Sequence, residues 1–431
     1  MTVRDLRRSS GTPLGSNTGI PLRSAESAQA IADDIAERTA RVAKVAAVHV
    51  EEVDRNARFP QEAITTAKAL GLMGIMAPAA VGGEAVGLGE VADICYALGR
   101  ACASTAMIYA MHQVNVACLV RHGMGSDWHE DFIRRLVRDQ LLLASSTTEG
   151  QGGGNVRSSL APIEPMAGGG IRLERAASVI SYGAEADAIV TTARRNAAAA
   201  PSDQVLAVFS RGDYSLQRTL SWDTFGMRGT CSAGFALRAT GEAAQVLPVA
   251  FERIHARSML PTAHILWSSV WAGIAAAAVG KSRRHVRKAR ASAGEPPPSA
   301  PYFTRAHAAL RQLRALIASS LERYETIQHD PAALMGLDFQ SDINLLKVDA
   351  SELAVAAVSS ALRAGGLTSY RNDSDVAIGR HLRDVLSAPI MVNNDRVLAN
   401  VAASALLTEV PTGVRAGRRV FSRSLYGANA R

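Results

Sequence analysis

The sequence is poor in aromatic residues, in lysine and in paired cysteines, and each shortage narrows what the chain can be. Aromatic residues make up 5% of its 431 positions, so its interior must be assembled from small and aliphatic side chains, which suits alanine-rich helices. Lysine stands only at 44, 68, 281, 288 and 347, and the formal net charge of +8 is carried by scattered arginines. Basic residues interleaved with aromatics, the pattern that reads DNA or RNA, are missing, and isolated arginines suit soluble anions such as a dinucleotide or a coenzyme thioester. The four cysteines, at 95, 102, 118 and 231, include no C-x-x-C pair, which speaks against zinc or any other metal site and against a secreted disulfide framework. No apolar run reaches the roughly 20 residues that span a bilayer, and the segment 1–26, with Arg7-Arg8 but no apolar stretch, does not read as a signal sequence. A cytoplasmic protein is expected.

What is present is a folded chain of two or three domains, with 48% apolar and 20% charged residues. After a tail over 1–26, helical spacing governs 27–140, as in Ala28, Ile31, Ala32 and Ile35 and again in Ile94, Leu98, Cys102 and Ala106. Short β-prone runs separated by Gly, Asn and Asp then occupy 141–251. Helical stripes return over 252–412, with Leu310, Leu313, Ile317, Leu321 and Tyr324 on one face, before a basic tail over 413–431. The proline-rich stretch 294–301 must break a helix pair into a loop. The expected fold class is mainly α with a central β domain and a C-terminal helical bundle.

Three segments invite a ligand. The run Ser145-Ser-Thr-Thr-Glu-Gly-Gln-Gly-Gly-Gly-Asn155 leads from a strand into hydroxyls and glycines, whose backbone N–H groups can approach an anion or a polar ring edge. Ser181 sits among apolar neighbours, and Phe225-Gly-Met-Arg-Gly-Thr-Cys-Ser232 precedes another strand.

In this order, and over 27–407, these segments resemble the acyl-CoA dehydrogenase family. Thr148 to Asn155 looks like the family's T-E-P-x-A-G-S-D loop, Val179-Ile-Ser181 like its W-I-T-N-G segment, and Arg290-Ala-Ser-Ala-Gly294 like its R-x-x-F-G. Arg363-Ala-Gly365-Gly366 resembles Q-x-x-G-G, and Arg380-His-Leu-Arg383-Asp384-Val385 resembles R-x-x-R-D-A. The resemblance implies three domains, FAD as cofactor, and a homodimer or homotetramer whose FAD site is shared between subunits. It implies cofactor contacts from Ser146, Thr148, Gly153, Ser181, Arg290, Gly365, Gly366 and Asn394, and substrate contacts from Asn155 and Val392. The implied partners are an acyl thioester of coenzyme A or a carrier protein, and an external electron acceptor or a flavin reductase.

One part of the family's machinery is missing. Abstraction of an α-proton needs a carboxylate in a desolvated pocket, yet Val392 stands where most members carry the Glu, and the stretch 266–273, which carries the base in other members, has no carboxylate. Three readings follow: α,β-dehydrogenation of an acyl thioester with Asp395 as a displaced base; a flavin monooxygenase on the same fold, its chemistry oriented by Ser146, Ser181, His112, His381 or Asn393; and a non-catalytic flavin-binding scaffold. His112 follows an apolar helical run, where a buried, hydrogen-bonded structural role is the ordinary expectation.

Overall fold

The computed structural model describes residues 25–149 and 156–407. Helix α1 (Ala25–Asn56) turns Ile35, Val42, Ala46, Val50 and Val53 inward at helical spacing. It is followed by α2 (Gln61–Ala69), α3 (Leu88–Ala101), α4 (Ala103–Gly123) and α5 (Asp127–Asp139). Helix α5 carries Asp127 and Glu130 in its first turn and Arg138 in its last, which complements its dipole, and Gln140 closes it in the left-handed conformation.

Seven strands follow: β1 (Leu143–Ser146), β2 (Glu164–Pro165), β3 (Gly170–Ile180), β4 (Ala188–Arg194), β5 (Gln204–Ser210), β6 (Tyr214–Leu220) and β7 (Ala233–Glu242). They form a three-stranded sheet in the order β1-β4-β5 and a four-stranded sheet in the order β2-β3-β7-β6. In β3, Ile171, Leu173, Arg175 and Ala177 alternate inward while Arg172 and Glu174 face out. Strands β4 and β5 are buried along nearly their whole length, as their continuous apolar runs require.

Helix returns with α6 (Phe251–Ile254), a π-helical turn (His255–Met259) and α7 (Leu260–Ala293). The wide turn has a local cause. Pro261 has no N–H to give, and in regular geometry its ring would collide with the carbonyl four residues back; here the Leu260 N–H reaches to His255 O instead. Helices α8 (Ala300–Ile327), α9 (Pro331–Met335), α10 (Leu337–Tyr370), α11 (Gly379–Val385) and α12 (Asn394–Ala405) complete the fold, with α7, α8 and α10 packed side by side and α12 lying on α10. Gly294 and the proline-rich stretch separate α7 from α8.

Helix α7 also crosses α3 at very close range. A Cβ on Gly273 would stand 2.3 Å from Tyr96 O, and one on Gly99 would stand 2.5 Å from Val270 O, so only glycine at both positions permits the crossing. By length and composition the continuous helix over Phe251–Ala293 meets the requirement for crossing a bilayer, which the sequence alone did not suggest. Its most apolar window is 78% buried inside the protein, as befits a core helix.

Candidate active site

A cavity of about 590 Å³ opens where the first helical region, the sheets and α7 meet. One wall comes from the sheet side and is rich in hydroxyls: Ser145, Thr147, Thr148, Ser181, Thr230 and Ser232. The opposite wall is the face of the π-helical turn and α7 that carries His255, Met259, Leu260, Ala263, His264 and Trp267. Phe225 and Ile390, 66% and 74% exposed, also line the cavity and make its mouth apolar.

The hydroxyl wall has a definite polarity. Thr230 Oγ1 donates to Met227 O at 2.8 Å, and Ser232 Oγ lies 2.8 Å from Thr230 Oγ1 and 2.8 Å from Ser181 Oγ. Ser232 Oγ donates to Ser181 Oγ, so the Ser181 proton is not spent on Ser232 and can point into the cavity. Backbone strain gathers at this wall: Tyr182, Met227, Cys231 and Val392 all have positive φ, between 43° and 53°, and each lines the cavity or adjoins a residue that does.

On the helical wall, His264 Nδ1 lies 2.8 Å from Ile343 O, a carbonyl that can only accept. The proton is thereby fixed on Nδ1, and Nε2 keeps its lone pair with no protein partner among the described residues. Burial holds the His264 pKa down at about 3, and burial together with the charge of Arg157 holds that of His255 at about 4. Both rings are neutral at pH 7. Trp267 Nε1 is buried and likewise finds no partner among the described residues.

The sequence-derived residues divide. Thr148, Ser181 and Val392 line the cavity. Ser146 does not: the strand alternates, so Ser145 and Thr147 face the cavity, while the Ser146 hydroxyl is buried on the other face of β1 without a hydrogen-bond partner among the described residues. Gly153 and Asn155 lie outside the described residues. Arg290 is exposed in the last turn of α7 and does not line the cavity. Gly365 and Gly366 lie at a break in α10, with Gly366 at φ 52°, and line no part of the cavity.

Asn394 is turned away as well. Its Oδ1 accepts from the buried Lys347 Nζ at 2.6 Å, and its Nδ2 donates to Ser351 and Glu352. Lys347 Nζ also donates to Val392 O at 2.9 Å, which pins the strained residue to the cavity floor, and burial lowers its pKa to about 8. Asp395 is exposed in the first turn of α12, outside the cavity, and Asn393 caps that helix. This position removes Asp395 from reach of a bound substrate; Asp395→Asn is expected to leave turnover within a factor of two, measured by steady-state kinetics.

Of the two histidines weighed from sequence, neither reaches the cavity. His112 Nε2 donates to Met73 O at 2.8 Å and Nδ1 accepts from Leu143 N at 3.0 Å, so its ring is a strut between two backbone segments. His381 is buried on α11. Around it, Arg380 pairs with Glu51, Arg383 with Asp54, and Asp384 accepts from Met227 N at 2.8 Å, so the R-x-x-R-D segment ties α11 to α1 and to the strained loop. Sequence reading missed His255, His264 and Trp267. The signal is in the sequence: 264 and 267 are one turn apart on one face of a helix, and Trp267 lies within the stretch 266–273 that holds no carboxylate.

Two helical regions thus flank a pair of sheets, with a hydroxyl-rich cavity at their junction. Family models agree on both sides of the sheets: "Acyl-CoA dehydrogenase, N-terminal domain" matches residues 26–138 and "Acyl-CoA dehydrogenase, C-terminal domain" matches 255–407. The chain belongs to the acyl-CoA dehydrogenase family, whose members are flavin-dependent oxidoreductases. It is 25% identical over 376 residues to cyclohex-1-ene-1-carbonyl-CoA dehydrogenase of Geobacter metallireducens, a match covering 83% of this chain and 92% of that protein. Among solved structures it resembles an FMN-bound dibenzothiophene monooxygenase from Paenibacillus sp. (TM-score 0.77, 17% identity, 88% of this chain and 98% of that one). It also resembles a nitrososynthase from Micromonospora carbonacea var. africana (TM-score 0.73, 22% identity, 89% and 97%).

The residues present suit a flavin. The free Ser181 proton and the Thr148 hydroxyl offer polar contacts along one edge of a planar ring, and the strained loop at Met227 and Cys231 brings backbone to the same wall.

Proposed function

We propose that this protein is a flavin-dependent monooxygenase that receives reduced flavin from a separate reductase and oxygenates a small, mainly apolar molecule. The observation that carries this reading is the absence of any Asp or Glu among the described residues lining the cavity; the adjoining segment 150–155, Gly-Gln-Gly-Gly-Gly-Asn, adds none. An acyl thioester cannot lose its α-proton there to a carboxylate. Bound in reduced form, flavin supplies two electrons to molecular oxygen, so that one oxygen atom enters the substrate and the other leaves as water. The chain's own part is to exclude water with a buried apolar wall, to orient the flavin edge through Ser181 and Thr148, and to hold the substrate against it. Five methionines line the cavity, at 107, 111, 227, 259 and 391, and their adaptable side chains suit a bulky apolar guest.

A dehydrogenase is the second reading, favoured by the match to nearly the full length of a curated acyl-CoA dehydrogenase. FAD is the cofactor favoured by the family, and the exposed Arg290 supports a homodimer or homotetramer, since it can meet a pyrophosphate only in another subunit's site. Rapid mixing separates the readings. The flavin-loaded protein, reduced and mixed with isotopically heavy oxygen and a panel of neutral aromatic compounds, is expected to place one heavy atom in product. Bleaching of oxidised flavin by an acyl-CoA panel without oxygen, with an α,β-unsaturated product, would overturn the oxygenase reading. A yellow protein that does neither is a scaffold.

A further inference from the structure

A second cavity, of about 580 Å³, lies outside the candidate active site and shares no lining residue with it. Helix α7 packs against both α3 and α8. These two flanking helices meet at one end, where a Cβ on Gly89 would stand 3.2 Å from Glu325 Oε1. At the other end a gap opens, with Tyr96 and Arg100 of α3 on one side and Phe303 and His307 of α8 on the other, so that α7 becomes the floor of a cleft.

That floor is made of Ala276, Val279 and Gly280. Gly280 has no packing reason to be glycine. Unlike Gly273 it crosses nothing: a Cβ built on it meets no atom within 4 Å, and its φ is not positive. Glycine inside a helix is destabilising relative to alanine, and what it leaves here is open space over bare backbone. The walls carry the rings of Tyr96 and Phe303, and the Phe303 ring lies against that of His307, 6.0 Å between centroids with 30° between planes. Arg100 and Arg283, both exposed, complete the lining; neither side chain has an ion pair or hydrogen bond with a described residue, and no carboxylate lines the cleft.

An apolar slot between aromatic rings, with two unmatched guanidiniums, has the chemistry of a receptor for a flat anion. Rings and bare backbone take the body, and guanidiniums take a carboxylate through paired N–H groups. The floor offers no side-chain partner for the hydroxyls of a sugar, which favours an apolar body. We propose that this cleft is a second ligand site and that it takes a flat, apolar organic acid, its ring over Gly280 and its carboxylate toward Arg100 and Arg283. Arg290 and Gly366, which the family pattern assigns to FAD, take no part in it, and the inference is independent of the reaction in the first cavity.

Equilibrium dialysis of the full-length, flavin-loaded protein against 2-naphthoate and its neutral counterpart 2-naphthamide tests the site. The wild type is expected to hold the acid about tenfold tighter than the amide, with the difference shrinking as salt is raised. Arg100→Gln combined with Arg283→Gln should erase the difference. Gly280→Leu, which fills the cleft with a residue that suits a helix, should abolish naphthoate binding while its thermal midpoint stays at or above that of the wild type. Equal binding of the two probes overturns the proposal, and so does naphthoate binding that survives Gly280→Leu or a preference that survives the double arginine variant. Binding of adenosine monophosphate in place of naphthoate overturns the organic-acid assignment. A wild type that ignores naphthoate, with a smaller oligomer for Gly280→Leu in sedimentation, would show that a second copy of the chain covers the cleft, which also overturns it.

Discussion

Acidification from pH 6.5 to pH 4 is expected to unfold the protein, with a cooperative loss of helical signal centred between pH 4 and 5. His112 and His264 are buried and His255 half-buried, and desolvation is the main cause that lowers their pKa values to about 4, 3 and 4. An unfolded chain takes up a proton on each near pH 6.5, whereas the folded chain does so only near pH 4 or below. Between those limits the unfolded state binds more protons, so stability is complete above pH 6.5 and falls as the pH drops. Each histidine contributes on the order of 3 kcal/mol to this loss. Asp384 works in the opposite sense. Its burial raises its pKa to about 6, so it gains a proton in the folded state first and offsets about one histidine. The net loss is comparable to the whole stability of an ordinary domain, about 5–15 kcal/mol. Circular dichroism against pH measures it, and His112→Gln, which keeps a donor and an acceptor but cannot protonate, should move the midpoint to lower pH. A fold that persists at pH 4 would show these rings to be far more accessible than described here.

Arg175→Met is expected to cost about 3–5 kcal/mol and to loosen the flavin. Arg175 occupies an inward position of β3 with a fully buried side chain, 2.9 Å from the nearly buried Glu149 and bonded to the Thr192 carbonyl. Burial lowers its pKa to about 10, against the attraction of Glu149. Glu149 in turn accepts from Ser159 Oγ at 2.8 Å and from Leu160 N at 2.5 Å, and it directly follows Thr148 on the cavity wall. Loss of the guanidinium leaves a buried carboxylate without its counter-charge at the end of the strand that delivers Thr148. Urea unfolding should report the cost, and flavin retention on a desalting column the loosening. Adding Glu149→Gln removes the stranded charge and should recover much of the stability. If the single variant is as stable as the wild type, the ion pair does not hold this loop.

The family was legible because its signals are local. Glycine and hydroxyl runs, the Arg380–Asp384 segment and the change from helical to strand-like spacing all lie in short stretches of sequence. The emptiness of both usual base positions was legible for the same reason. The cavity was less so. Ser146 was favoured over Ser145 because composition does not give the phase of a strand, and a slip of one residue exchanges the two faces. Asn394 and Gly365 fit the family pattern in sequence, but their side-chain directions depend on Lys347 and on the break in α10, both set by tertiary packing. His264 and Trp267 were hidden by their type, since an imidazole and an indole in an apolar helix ordinarily read as core.

The wide turn at His255–Met259 gives α7 an adjustable phase. Each residue of a regular helix advances the face by about 100°, so the surplus residue in this turn rotates everything before it relative to everything after it. Removing that residue would turn His255 off the cavity while leaving His264, Trp267 and the Gly273 crossing where they are. The shape of one end of the pocket can therefore change by a single codon, with the rest of the bundle undisturbed.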